Sequence, residues 1–169
     1  MDYHFDFLVI GSGIAGLTFA LKSAQHGTVA IVTKKDKLEA STNYAQGGIA
    51  TVLSPDDSFQ LHVEDTLESG DGLCHEDVVE IVVQSGPERI RELVSLGVPF
   101  NQNSSQTCAF DLGREGGHSR NRIVHAQDMT GRAIEKVLAA AAEAHPNIEI
   151  FENQLALDLI IQHQSIRAG

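Results

Sequence analysis

Apolar residues near the N-terminus come in two short runs with a helical spacing between them. FDFLVI, residues 5–10, ends at Gly11 and has the form of a strand buried on both faces. Ile14, Leu17, Ala20, Leu21 and Ala24 then recur at helical spacing over residues 13–25, and Gly27 stops the helix. VAIVT, residues 29–33, is a second, β-branched strand. Strand, glycine turn, helix and strand within about 30 residues predict a βαβ unit and a parallel sheet.

Further along, Ser58 is placed to N-cap a helix carrying Leu61, Val63 and Leu67. DVVEIVVQ, residues 77–84, predicts another helix. Pro87 stands in the N1 position of a third, which Gly97 ends. NQNSSQ, residues 101–106, is a polar loop. TGRAIEKVLAAAAEA, residues 130–144, is the segment richest in helix formers, and His145 and Pro146 end it. Residues 148–151 and 155–161 are expected as closing strands. The fold class is therefore α/β: a Rossmann-like βαβ domain with a parallel sheet and additional helices. The chain stops directly after the last expected strand, so residues 1–169 are expected to be the N-terminal part of a larger domain.

Gly11, Gly13 and Gly16 form GSGIAG between the first strand and the first helix. In that setting the glycines allow a tight turn, backbone approach to a pyrophosphate and close helix–strand packing. The amides of Ser12, Gly13, Ile14 and Ala15 then face the anion at a helix N-terminus. The context predicts a dinucleotide site. Its usual companion, an acid about 20 residues on that binds ribose, is missing: the second strand ends Thr33-Lys34-Lys35, with no acid before Asp36. Lys34 is open to three readings: a 2′-phosphate partner, a residue over the pyrophosphate or adenine of a flavin cofactor, or a solvated loop lysine. An uncharged stretch comes next, STNYAQGGIA, residues 41–50.

Charge narrows the classes. The net charge of −11 argues against a nucleic-acid surface, which clustered Lys and Arg would have to supply. Arg114, Arg120 and Arg122 form the one local basic cluster, suggesting a small anionic ligand. No apolar run nears the roughly 20 residues that span a bilayer, and the N-terminus lacks a basic leader. Cys74 and Cys108 have no CxxC spacing, which points to two reduced thiols rather than a zinc site or disulfide. A cytoplasmic protein without membrane or nucleic-acid partners is expected.

STNYAQGGIA after VTK, taken with LGREGGHSRNRIVHAQDMTGR, residues 112–132, closely resembles the succinate dehydrogenase/fumarate reductase flavoprotein family, and within it the branch that oxidises L-aspartate. The resemblance runs through the whole chain and implies FAD. It lays the flavin along Ser41, Thr42, Asn43, Tyr44, Ala45, Gln46, Gly47 and Gly48, where a side chain on the two glycines would block approach to a flat ring. Succinate-oxidising relatives carry a flavin-linking histidine where this chain has Ser41, so the FAD is expected to be non-covalent. Glu115 stands where dicarboxylate-only relatives are apolar, which implies a carboxylate that reads a substrate ammonium; pairing with Arg114 or Arg120 is its bland alternative. His118 and Ser119 are implied to hold a substrate carboxylate or a water. His125, Asp128 and Thr130 open the last helix, with Asp128 and Thr130 as ligands or as caps of its first turn.

The reaction so implied is oxidation of L-aspartate to iminoaspartate, with oxygen or fumarate as acceptor, the first step of de novo NAD biosynthesis. Quinolinate synthase is a partner the resemblance leaves open. The family's capping domain and C-terminal helical domain have no matching motifs here, so weak FAD binding and little turnover are expected. Three alternatives stand beside it: a fumarate reductase or succinate dehydrogenase flavoprotein, a non-catalytic FAD-binding fragment, and an NADP-dependent oxidoreductase resting on Lys34.

Overall fold

The computed structural model describes residues 2–103, 108–126 and 129–160. Strand β1 (Phe7–Ile10), helix α1 (Ile14–Ser23) and strand β2 (Val29–Val32) form the expected βαβ unit. β2 also pairs in parallel with β6 (Ile148–Phe151), giving the order β1-β2-β6. Helix α4 (Thr130–Ala144) has the bounds its composition predicts and packs beside α1 on one face of this sheet. Leu17, Ala20, Val29, Ile31, Ile134 and Leu138 form the middle of the core between them.

The other face of the sheet is bare in part, which corrects the expectation of a strand buried on both sides. Val9 is buried, whereas Leu8 and Ile10 each keep 54% of their surface exposed. α1 and α4 cover only the face to which Val9 and Ile31 point. Tyr3 and Phe5 stack edge-on against Phe151 on the open side.

A second unit is built from short strands and two helices. β3 (Ile49–Ala50) and β4 (Leu112–Gly113) flank β5 (Ile123–Val124), all antiparallel. α2 (Phe59–Ser69) starts at Ser58, whose hydroxyl accepts from Leu61 N–H, the cap its sequence predicts. α3 (Glu76–Ser95) departs from expectation: it is one helix, with Pro87 inside it. A proline there removes one backbone hydrogen bond and clashes with the preceding turn. Burial outweighs this cost, because Val83, Pro87, Ile90 and Leu93 share the buried face. Gly86, without a Cβ, also lets the helix press against Thr51.

The last predicted strand is not formed in its described part: residues 155–160 have no regular structure and Leu155, Leu157 and Ile160 are exposed, while residue 161 lies outside the described residues. Among the described residues no strand pairs with 155–160, and apolar alternation alone cannot hold a strand. The polar loop at 101–106 is described only as far as Asn103. Among the described residues no helix is long and apolar enough to cross a membrane.

Candidate cofactor and substrate site

The glycine turn is shaped from within. Gly11 leaves β1 with φ +102, a conformation that favours glycine. A Cβ on Gly16 would collide with the Gly11 carbonyl, so α1 can pack this close to β1 only with glycine there. Gly13 is different: the nearest protein atoms to a Cβ would be Thr42 Oγ1 at 3.5 Å and Ala40 Cβ at 3.9 Å. Chain packing tolerates a side chain there, and Gly13 lines the cleft beside Thr42.

Two hydroxyls tie the turn to the segment after β2. Ser12 Oγ donates to Thr33 Oγ1 at 3.3 Å, and both residues are buried. Ile14 N–H, at the start of α1, donates to Thr42 Oγ1 at 3.1 Å. Ser41–Tyr44 form a single 3₁₀ turn, and no local motif marks Thr42 as a cap for α1. Between turn and strand ends lies a cleft of about 580 Å³, lined by Gly11, Ser12, Gly13, Lys34, Ser41 and Thr42 among others. It opens at the carboxyl ends of β1 and β2, where open α/β sheets bind ligands.

Lys34 is exposed on that cleft and pairs with no carboxylate among the described residues, whereas Lys35 is 3.4 Å from Glu39. Tyr44 Oη donates to Glu39 at 2.9 Å, a bond that raises the phenol above its ordinary range. Asn43 points the other way, into a separate cleft with Met129 and Arg132. Ile14, Ala15 and Gln46 are exposed.

The second predicted segment is split in two. Glu115 comes up to the first loop: its Oε1 lies 3.4 Å from where a Cβ on Gly47 would stand. It makes no ion pair with Arg114 or Arg120 among the described residues. Pairing of β3 and β4 with β5 brings the two loops together. Gly48 owes its identity to that sheet rather than to a ring, since a Cβ there would collide with Ile123 and the Val124 carbonyl.

His118 and Ser119 turn away toward α2. Ser119 donates from both N and Oγ to Asp65 Oδ2, at 2.8 and 2.9 Å. His118 stacks edge-on against His62 at 6.1 Å, its backbone N–H donates to the Glu115 carbonyl at 3.3 Å, and its Nδ1 is enclosed without a partner among the described residues. Burial, and then the charge of Arg122, hold His62 below its ordinary pKa.

The expected basic patch does not survive. Arg122 is fully buried and doubly paired: Nε and Nη2 donate to Asp57 at 2.9 and 2.8 Å, and Nη1 donates to Asp65 at 2.6 Å. Burial alone would raise Asp65, but the two Ser119 donors and Arg122 together hold it below the usual carboxylate range. Arg114 and Arg120 line a cleft of about 620 Å³ in which Asp56, Asp57 and Asp111 balance them. Lone arginines in a sequence do not reveal their carboxylates, and Asp57 and Asp65 lie more than 50 residues away, at |i−j| of 65 and 57.

At the start of α4, Met129 is the cap residue and makes no side-chain cap bond. Thr130 instead accepts from Ala126 N–H at 3.1 Å, holding the incoming loop rather than the first turn of its helix. His125 lies beside Asn101 and Asp111, and Asp128 lies outside the described residues. One acid escapes a motif-based reading: Glu135 on α4 is completely buried. Its spacing from Gly131 and Leu138 puts it on the apolar stripe and is the signal that could have flagged it.

A family model described as "FAD binding domain" matches residues 6–169. The chain is 53% identical over 157 residues to a chloroplastic L-aspartate oxidase 2-b of Nicotiana tabacum, covering 93% of this chain and 24% of that protein. It is 46% identical over 167 residues to an L-aspartate oxidase of Pseudomonas aeruginosa, covering 96% of this chain and 31% of the relative. A quinol fumarate reductase structure from E. coli superposes with a TM-score of 0.89 at 30% identity, over 95% of this chain and 28% of that one. The chain thus spans about a quarter to a third of the length of the relatives it matches.

Proposed function

The chain belongs to the FAD binding domain family, and from that premise we propose that it forms the dinucleotide cradle and part of the substrate wall of an enzyme that oxidises L-aspartate to iminoaspartate. The observation that carries the reading is the approach of Glu115 to Gly47. It sets a carboxylate with no ion-pair partner among the described residues beside the loop that follows the cleft.

In this reading the Gly11–Gly16 turn cradles the pyrophosphate at the α1 N-terminus: the backbone N–H groups of Ser12, Gly13, Ala15 and Gly16 face it, Gly11 and Ile14, whose N–H groups donate to Val32 and Thr42, shape the turn, and Lys34 adds a positive charge. Gly13 fits the role, because it lines the cleft and no protein atom crowds it. Ser41, Thr42, Tyr44, Ala45, Gln46, Gly47 and Gly48 line the flavin, while Asn43 faces the separate cleft beside Arg132. Ser41 cannot make a histidyl link, so the cofactor is non-covalent. Bound FAD would supply the two-electron redox chemistry of this oxidation, with oxygen or fumarate as the final acceptor. Glu115 orients the substrate by accepting from its ammonium group, and it disfavours succinate, which would leave the acid unpaired. His118 and Ser119 fix the Glu115 turn against α2.

The imine product hydrolyses in water, which makes quinolinate synthase, its consumer in NAD biosynthesis, the partner that goes with this reading. A cytoplasmic location goes with it too, supported by the free thiols of Cys74 and Cys108. A succinate or fumarate enzyme is the second reading, favoured by the close superposition on quinol fumarate reductase.

Anaerobic mixing of FAD-loaded protein with each substrate separates the two. L-Aspartate is expected to bleach the flavin absorbance and succinate to leave it unchanged; bleaching by succinate alone overturns the proposal. Acid precipitation is expected to leave all flavin in the supernatant, and flavin retained in the pellet would contradict non-covalent binding.

A further inference from the structure

Helix α4 carries an acid where its own pattern calls for an apolar residue. Gly131, Glu135, Leu138 and Ala142 follow at helical spacing and all are buried. Glu135 is fully enclosed, and neither carboxylate oxygen has a hydrogen-bond partner among the described residues. An isolated carboxylate in such a place is favoured in its neutral form. Burial, followed by the charge of Glu39, accordingly pushes Glu135 up to about 7.

The same face of α4 seats the 3₁₀ turn of the cleft. One helical turn before Glu135, Gly131 N–H donates to the Ala45 carbonyl at 3.0 Å. A Cβ on Gly131 would collide with the Thr42 carbonyl and come within 2.7 Å of Ala45 Cβ. Thr42 in turn caps Ile14 at the α1 N-terminus. The chain of contact therefore runs from α4 through the cleft-lining turn to the start of α1.

The charges around this seat do not neutralise Glu135. From the segment leading into the turn come Glu39, bonded to Tyr44 and Lys35, and Lys37, paired with Glu143 of α4. From α1 comes Lys22, paired with Glu92 of α3. From β6 and just beyond it come Glu149 and Glu152, the latter accepting Lys37 N–H. α4 itself adds Arg132 and Lys136. Tyr44 and Glu39 both feel Glu135 electrostatically, and a second negative charge here would repel Glu39.

We propose that Glu135 is a positioning residue for the cofactor: its neutral carboxyl lets α4 seat the Ser41–Tyr44 turn, and its ionisation loosens that seat and weakens FAD binding. This role rests on the FAD reading of the cleft. The binding-competent state keeps its proton, so affinity is level below pH ~7 and falls above it, approaching tenfold per pH unit.

FAD titrations of the whole chain, followed by flavin fluorescence from about pH 6 to about pH 8.5, test this in wild type, Glu135→Gln and Glu135→Leu. The wild type is expected to lose affinity by about 10- to 30-fold across that range, while both variants, which cannot ionise there, stay within about twofold of their own pH 6 value. Parallel profiles for wild type and variants overturn the inference. So does loss of binding by both variants where the wild type binds, since that marks Glu135 as structural only. If the wild type binds no FAD even at about pH 6, where its carboxyl is neutral, the cofactor reading itself falls and takes this one with it.

Discussion

Thr42 is where the cleft and the fold share one side chain. Its hydroxyl accepts from Ile14 N–H, one of the amides left without a partner at a helix start. Thr42→Val keeps the shape and removes the acceptor. The expected cost is about 1 kcal/mol of stability, the usual worth of a lost helix cap. Urea unfolding monitored by circular dichroism measures it, and an unchanged midpoint would show that solvent replaces the bond. Because that bond ties the cleft-lining Thr42 to the α1 N-terminus, FAD affinity is expected to weaken in the same variant, by up to about tenfold for ~1 kcal/mol of lost preorganisation. Gly11 and Gly16 are legible in the sequence because each obeys a local rule of turn or close packing. The Thr42 bond is not, since it spans 28 residues and depends on where a loop lands.

At the scale of elements, the buried Arg122 clamp decides how α2 meets β5. It joins Asp57, just before α2, and Asp65, within it, to a strand-flanking arginine. A buried ion pair is poor evidence of net stabilisation, but breaking one side leaves a charge stranded. Arg122→Met should therefore destabilise by about 3–5 kcal/mol, with Asp57 and Asp65 left facing each other. Asp57→Asn is expected to cost less, because Asp65 still answers the arginine. A denaturant series across wild type and both variants ranks them, and equal costs would contradict a shared clamp. The folded-state pKa of Asp65 is depressed, so its contribution is present above the unfolded value of 3.8 and is lost as the pH falls through the folded one.

Helix existence is readable from periodicity throughout, and the bounds of α4 are readable from composition. α3 reads as two helices because Pro87 ordinarily ends or starts a helix. Its buried stripe, visible as Val83, Pro87 and Ile90, is the stronger signal. The strand expected at 155–161 fails for the opposite reason: alternation is present, but a strand exists only by pairing. The basic cluster fails because charge counts carry no partner information.

For the molecule as a whole, exposure and burial each carry a prediction. The open side of the β1-β2-β6 sheet exposes Leu8 and Ile10 next to a hollow of about 490 Å³ walled by Tyr3, Phe5 and Phe151. Contiguous exposed apolar surface of this kind binds hydrophobic dyes and favours association. The protein should enhance anilinonaphthalene sulfonate fluorescence under native conditions, and Leu8→Thr with Ile10→Thr should reduce it while leaving the far-ultraviolet spectrum intact. An unchanged signal would place the dye elsewhere.

The pH dependence of stability sets two buried groups against each other. Glu135 is raised in the folded state from 4.5 to about 7, so the folded protein holds a proton that the unfolded chain has lost between those values. Its contribution is complete below 4.5 and disappears as pH rises to about 7, a swing of roughly 3 kcal/mol. His62 is lowered from 6.5, so the unfolded chain takes up the proton first and stability falls as pH drops below 6.5. The two slopes oppose each other between pH 4.5 and 6.5 and leave the wild-type profile shallow. Glu135→Gln removes one of them. Its stability relative to wild type should rise steadily with pH across that window, whereas His62→Asn should shift the relative stability the other way. Thermal melts of the three proteins at matched pH read both slopes directly, and a Glu135→Gln difference that stays flat with pH would mean the acid is ionised in the fold.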